Sequence, residues 1–198
     1  MKQRNNPAWM NLLNLLRTGS DVDQVEAAKA LGFMRCRSRG ALDALAALLS
    51  RYESPAASEL AAYVLGLIGN RRYVRALAAC VCDKRQHDAV RGQAVEALGQ
   101  INFLGGSAGR RVKRVAESAL LEALSDPSAT VRFWCCFGLG CLRSERAVVP
   151  LTHLVNHDLE IVPGWWYVRE EAADALNRIA GGFGEDRVAV HLRQRDAT

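Results

Sequence analysis

The sequence predicts an all-α fold, a right-handed α-solenoid of about five helix pairs with an N-terminal capping half-unit, and two observations predict it. Five segments superimpose without gaps: Glu26 to Met34, Leu60 to Ile68, Gln93 to Ile101, Trp134 to Leu142 and Glu171 to Ile179. Their column leucines, Leu31, Leu65, Leu98, Leu139 and Leu176, lie 34, 33, 41 and 37 residues apart, a period that marks stacked supersecondary units. Within each segment, two small positions three residues apart are followed by a large aliphatic, as in Ala27, Ala30, Met34 and Ala94, Ala97, Ile101. That is the stripe of an amphipathic helix whose small positions admit a close neighbour.

Residues 1–19 read as a cap, in which Pro7 to Arg17 carries Trp9, Leu12, Leu13 and Leu16 at helical spacing. A solenoid needs one because its end units otherwise leave an apolar face in water. Five units follow in one domain, at about 20–52, 53–86, 87–125, 126–157 and 158–196. After each first helix comes a second apolar-periodic stretch: Ala41 to Leu49, Tyr73 to Val81, Val112 to Leu124, Ala147 to Val155 and Arg187 to Leu192. Ser54-Pro55 and Asp126-Pro127 put proline in a first helical turn, where its missing N–H costs nothing. Gly32, Gly66, Gly99, Gly140 and Asn177 directly follow the column leucines. Glycine inside a helix costs about 1 kcal/mol relative to alanine, so its recurrence predicts close backbone contact between units. Val188 to Arg195 reads as the closing cap, with Asp196 to Thr198 frayed. Asn102 to Arg111 and Asp158 to Tyr167 break the period as insertions, which in repeat proteins map to loops and often carry binding.

These segments resemble the HEAT repeat family, in particular bacterial HEAT-like repeats of the phycobiliprotein lyase type. Val90-Arg91, Val131-Arg132 and Val168-Arg169 match the family's Val-Arg step, with Asp88 and Asp126 at or near its preceding aspartate. The resemblance covers about Asp21 to Arg195. The first two units carry Asp23-Gln24 and Ala57-Ser58 instead, so the arginine ladder that the resemblance implies is incomplete at the N-terminal end. It implies a fold and leaves function open, because this repeat serves many unrelated proteins.

The composition is that of a globular protein, 49% hydrophobic and 24% charged. No apolar run approaches the roughly 18–20 residues that cross a bilayer, and the polar N-terminus lacks the apolar core of a secretion signal. We therefore expect a soluble cytoplasmic protein with no membrane partner. Its six cysteines are expected to be free thiols in a reducing compartment. The net charge is +5, carried by 22 arginines against four lysines. Arginine's planar fork suits carboxylate or phosphate, which points to an acidic partner, although codon bias in a GC-rich genome gives the same count.

Three constellations are candidate sites. A basic ridge runs near the start of the second helices, through Arg37 and Arg39, then Arg71, Arg72 and Arg75, then Arg110, Arg111, Lys113 and Arg114, then Arg143 and Arg146, then Arg187. Cations at helix N-termini oppose the helix dipole, so helix stability does not explain them; the bland alternative is a solvated edge paired to Asp43, Glu117, Glu145 and Asp186. Trp134 and Phe137 occupy columns that are mostly polar elsewhere, and Trp165, Trp166 and Tyr167 stand in the neighbouring insertion. That cluster either anchors a partner or folds back onto Trp134 and Phe137, and the apolar loop favours the second. Cys80-x-Cys82 and Cys135-Cys136 lack zinc spacing with a second pair, and the latter two fall in small core columns, so no metal and no cofactor are expected.

Enzymes of this architecture fit poorly. The deoxyhypusine hydroxylases use repeated His-Glu dipeptides, whereas His87, His153, His157 and His191 precede Asp88, Leu154, Asp158 and Leu192. The alkylpurine DNA glycosylases use tryptophans with an aspartate, and no such pair stands at one-turn spacing. The sequence thus predicts a non-catalytic protein-interaction module, an adaptor, scaffold or immunity-type inhibitor binding an acidic protein through a rigid curved surface. A phycobiliprotein-lyase-like chaperone or transferase and a nucleic-acid-binding protein are the alternatives.

Overall fold

The computed structural model describes residues 7–101, 103 and 106–182. Ten α-helices run through them: α1 (Pro7–Thr18), α2 (Asp21–Phe33), α3 (Arg39–Leu48), α4 (Pro55–Ile68), α5 (Val74–Cys82), α6 (Asp88–Gln100), α7 (Gly106–Ala123), α8 (Ala129–Cys141), α9 (Val148–His157) and α10 (Val168–Ile179). Short 3-10 turns, Arg71–Tyr73 and Glu145–Ala147, lead into α5 and α9. The expected helix pairs are all present through α10; the stretch Arg187 to Leu192 and the closing cap lie outside the described residues.

The helices form two layers. In the first, α2, α4, α6, α8 and α10 pack each on the next. In the second, α3, α5, α7 and α9 each rest on the first-layer helix that follows. Helix α1 lies against both α2 and α3, so it takes the place of the second helix of an incomplete unit, with Leu16 fully buried. The column leucines form the expected row: Leu31, Leu65, Leu98 and Leu139 are buried, and Leu176 packs half-buried against the same core.

The glycine column has the role that its cost predicted. A Cβ on Gly66 would come 2.8 Å from Ala97 Cα, and one on Gly140 2.9 Å from Ala175 Cα. Those distances exclude any side chain, so each glycine sets the approach of the next first-layer helix. The opposite number lies two places before the next Gly/Asn of the column: Gly99 faces Gly138 in the same way, and Gly32 meets the side chain of Val64.

The Val-Arg step also joins units. Arg91 is 2% exposed; its Nη2 donates to Asp88 Oδ1 at 2.8 Å and Asp126 Oδ1 at 3.1 Å, while Nη1 donates to Asp126 Oδ2. Arg132 grips Asp158 with Nε at 2.7 Å and Nη2 at 3.2 Å, and its Nη1 donates to the carbonyls of Asp126 and Pro127. Arg91 and Arg132 each clamp the carboxylate that opens the next unit, and the bidentate geometry offsets the desolvation of both charges; the third arginine of the step, Arg169, is exposed over the Tyr167 ring instead. Where the arginine column carries Ser58, neutral bonds replace the clamp. Ser58 Oγ donates to Leu48 O at 2.8 Å, and Gln86 Nε2 donates to Leu49 O at 3.0 Å and Arg51 O at 2.6 Å.

Two expectations need correction. Pro127 lies two residues before α8, which starts at Ala129 behind Ser128; Asp126 is committed to Arg91 and to the backbone N–H of Ser128 at 2.9 Å, so the helix opens after it. The insertion Asn102 to Arg111 is helical from Gly106 onward. Gly106 supplies a positive φ of 60°, and the alanine and arginines after it are good helix formers. Arg110 and Arg111 therefore stand on α7 rather than on a loop.

Candidate partner-binding surface

The outer side of the second layer carries the arginines. On α5, Val74, Leu77, Ala78 and Val81 are buried and Arg75 points away from them into solvent. On α7, Ala116, Ala119, Leu120 and Ala123 face the core. Ser107, Arg110, Arg111, Arg114, Val115 and Ser118 recur at helical spacing on the opposite side. They line one open groove of about 670 Å³, and all three of its arginines are exposed.

The remaining cations of the predicted ridge lie nearer acids. Arg39 Nε and Arg72 Nε stand 3.6 and 3.7 Å from the two oxygens of Asp43, and Tyr73 Oη donates to the same carboxylate at 2.8 Å. Burial, then the hydrogen bond to Asp43, pushes the Tyr73 hydroxyl up to about 12, so it stays a donor. Arg146 Nη1 stands 3.2 Å from Glu117 Oε2, whose other oxygen accepts from Ser144 Oγ. Arg71 is exposed in its 3-10 turn. Among the described residues, no carboxylate lies within ion-pair distance of Arg75, Arg110, Arg111 or Arg114. Arg187 lies outside the described residues.

The aromatic insertion folds back. Phe133, buried at the centre, has its ring 5.5, 5.8 and 5.5 Å from those of Trp134, Trp165 and Trp166. Trp134 meets Trp165 at 5.2 Å and Phe137 at 5.7 Å. Gly92 makes room for Trp134, since a Cβ there would sit 2.9 Å from its Cδ1. Trp165 and Trp166 are half-buried in this cluster and Tyr167 is 37% exposed under the Arg169 guanidinium. Phe133 and Gly92 escaped the sequence-based search. Their signal was a glycine one turn from the column position that faces the tryptophan.

In the fifth unit the two columns of Trp134 and Phe137 are not solvent-facing: Glu171 and Asp174 are each 1% exposed. Trp166 Nε1 donates to Glu171 Oε2 at 3.1 Å and Arg178 Nη1 to Oε1 at 3.0 Å. Burial pushes the Glu171 carboxyl above its ordinary range, with the Arg178 charge working against it. Cys135 and Cys136 are buried in the core, and desolvation raises both thiols well above their usual value. No group of three or more metal-ligating side chains occurs among the described residues, and no helix there is long and apolar enough to cross a membrane.

A row of stacked helix pairs with an exposed second layer defines an α-solenoid. Within it, residues 10–99 match the model for HEAT repeats. Among solved structures, the complex of CpcE and CpcF of phycocyanin lyase from Nostoc sp. PCC7120 is similar, with a TM-score of 0.66 and 18% identity over 84% of this chain and 96% of that one. A crystal structure of an engineered protein matches with a TM-score of 0.60 and 21% identity, over 87% of this chain and 79% of the other. No curated protein matches the sequence.

Proposed function

We propose that this protein is a non-catalytic interaction module, an adaptor or inhibitor, that binds an acidic protein surface along the outer side of its second layer. The observation that carries this is the α7 groove: Arg110, Arg111 and Arg114 project from one face of one helix with no carboxylate beside them among the described residues. Uncompensated arginines on a rigid support favour an acidic partner, because little order is lost when it docks and charge steers the encounter. Arg75 on the adjoining α5 extends the row, with Arg39, Arg71, Arg72 and Arg146 at its flanks and Arg187 as its C-terminal continuation.

Fluorescence anisotropy with a labelled glutamate-rich peptide tests the reading. Binding should weaken as salt rises and fall at least tenfold in R110E/R111E/R114E. Tighter binding to duplex DNA, with a log-log salt slope of several units, would replace it by the nucleic-acid reading. A lyase-like role is the second reading, favoured by the likeness to a lyase assembly of two different chains. Transfer of a bilin to an acceptor subunit by the purified protein would establish it.

A further inference from the structure

A second polar groove, of about 380 Å³, opens between the first and second units. Its composition follows from the repeat. Gln24 stands seven residues before Leu31, where Arg91 stands before Leu98 and Arg132 before Leu139. Asp21 holds the place that Asp88 holds beside Arg91, and Ser54 stands at the N-cap of the next first-layer helix, near where Asp126 precedes α8. At this junction the aspartate seen beside Arg91 is kept while the guanidinium that it serves there is replaced by a shorter amide.

The groove retains the polarity of the clamp. Gln24 is 8% exposed and turns its Nε2 back to Gly19 O at 3.3 Å. Ser54 is 5% exposed, lines the groove, and its hydroxyl makes no capping bond to α4 and has no other side-chain partner. Ser58, which also lines the groove, and Gln86 are by contrast bonded to the first unit's carbonyls of Leu48, Leu49 and Arg51. The Ser54 oxygen opens onto the groove, where it can accept from a donor that enters.

From these relations we infer that the groove receives an arginine side chain from the binding partner, its guanidinium taking the place that Arg91 and Arg132 fill from within the chain at later junctions. Asp21 and Glu53 supply the carboxylates and Ser54 an accepting hydroxyl. Arg17 and Arg51 also line the groove, with Arg51 Nη1 donating to Arg17 O at 3.2 Å. Two acids and two bases in one groove select an arginine that has a carboxylate next to it. A basic residue set in an acidic segment meets that requirement, so the site adds a specific contact to the acidic surface bound by α7 without depending on it.

The probe is ethylguanidinium, titrated into ¹⁵N-labelled protein at constant ionic strength, with ethylammonium as the control. Saturable shifts confined to the amides around Gln24 and Ser54, at least threefold weaker for ethylammonium, support the site. Q24R fills the groove from within, so it should abolish those shifts and raise the melting temperature. E53Q, which tests the same point without a larger side chain, should weaken guanidinium binding at least threefold. R110E/R111E/R114E should leave the shifts unchanged, which separates this site from the α7 reading. Shifts spread over the whole surface, shifts that survive Q24R, or equal response to ethylammonium would overturn the inference.

Discussion

Gly66 of α4 and Ala97 of α6 are in backbone contact, with 2.8 Å left between a notional Cβ on the first and the Cα of the second. G66A should therefore destabilise the fold by about 1–3 kcal/mol through overpacking, although alanine is the better helix former by about 1 kcal/mol. G40A is the contrasting substitution. Its Cβ would meet only Leu13 Cδ1 at 3.8 Å, and it should be neutral or mildly stabilising. Urea denaturation with an unchanged m-value distinguishes the two.

Arg91 and Asp126 are both buried. Removing one partner leaves an uncompensated charge, so D126A should cost about 3–5 kcal/mol, whereas R91L/D126L should cost far less because both desolvation penalties vanish together. A double-mutant cycle measures the difference as a large coupling energy.

Arg35 and Arg143 hold the same position after their first-layer helices, with φ of 46° and 48°. A left-handed conformation costs a non-glycine residue about 1–2 kcal/mol. R35G and R143G should each raise the melting temperature, and R35G/R143G by roughly the sum, since the sites lie in the first and fourth units.

Glu171 links stability to pH. Burial raises its carboxyl in the folded chain above the unfolded value, so the folded state binds the proton more tightly. The resulting stabilisation is fully present below the unfolded carboxylate range and is lost as pH rises through the folded value. E171Q keeps an acceptor for Trp166 Nε1 and removes that slope. Its stability relative to wild type should improve between about pH 4 and pH 7, as read by denaturation at each pH.

The layered fold was legible because Leu31, Leu65, Leu98, Leu139 and Leu176 recur with small residues at fixed offsets, and stacking in register turns such columns into rows. The glycine contacts followed from the same columns. Pairing between columns was harder to see. Asp158 lies in an insertion, outside the period, yet it is the carboxylate of the Arg132 clamp. Gln86 replaces a charge by an amide that reaches carbonyls 35 and 37 residues earlier. Of the predicted ridge, the sequence supplied the arginines but not their acids: Arg39 and Arg72 converge on Asp43 across two units, a convergence that depends on how the turns are aimed. Helical order in the third-unit insertion was concealed by its glycines.

The glycine contacts give the molecule a stiff side and a compliant one. Backbone against backbone leaves no side chain to rearrange, so the first layer holds a fixed spacing, like the bound edge of a book. Bending is then taken up by the second-layer helices, which can fan apart or draw together about that spine. Of the second-layer helices, α5 and α7 pack directly on one another, so their arginines keep a set spacing, and a docking surface slightly too wide or too narrow is met by movement of α3 and α9 rather than by a broken core.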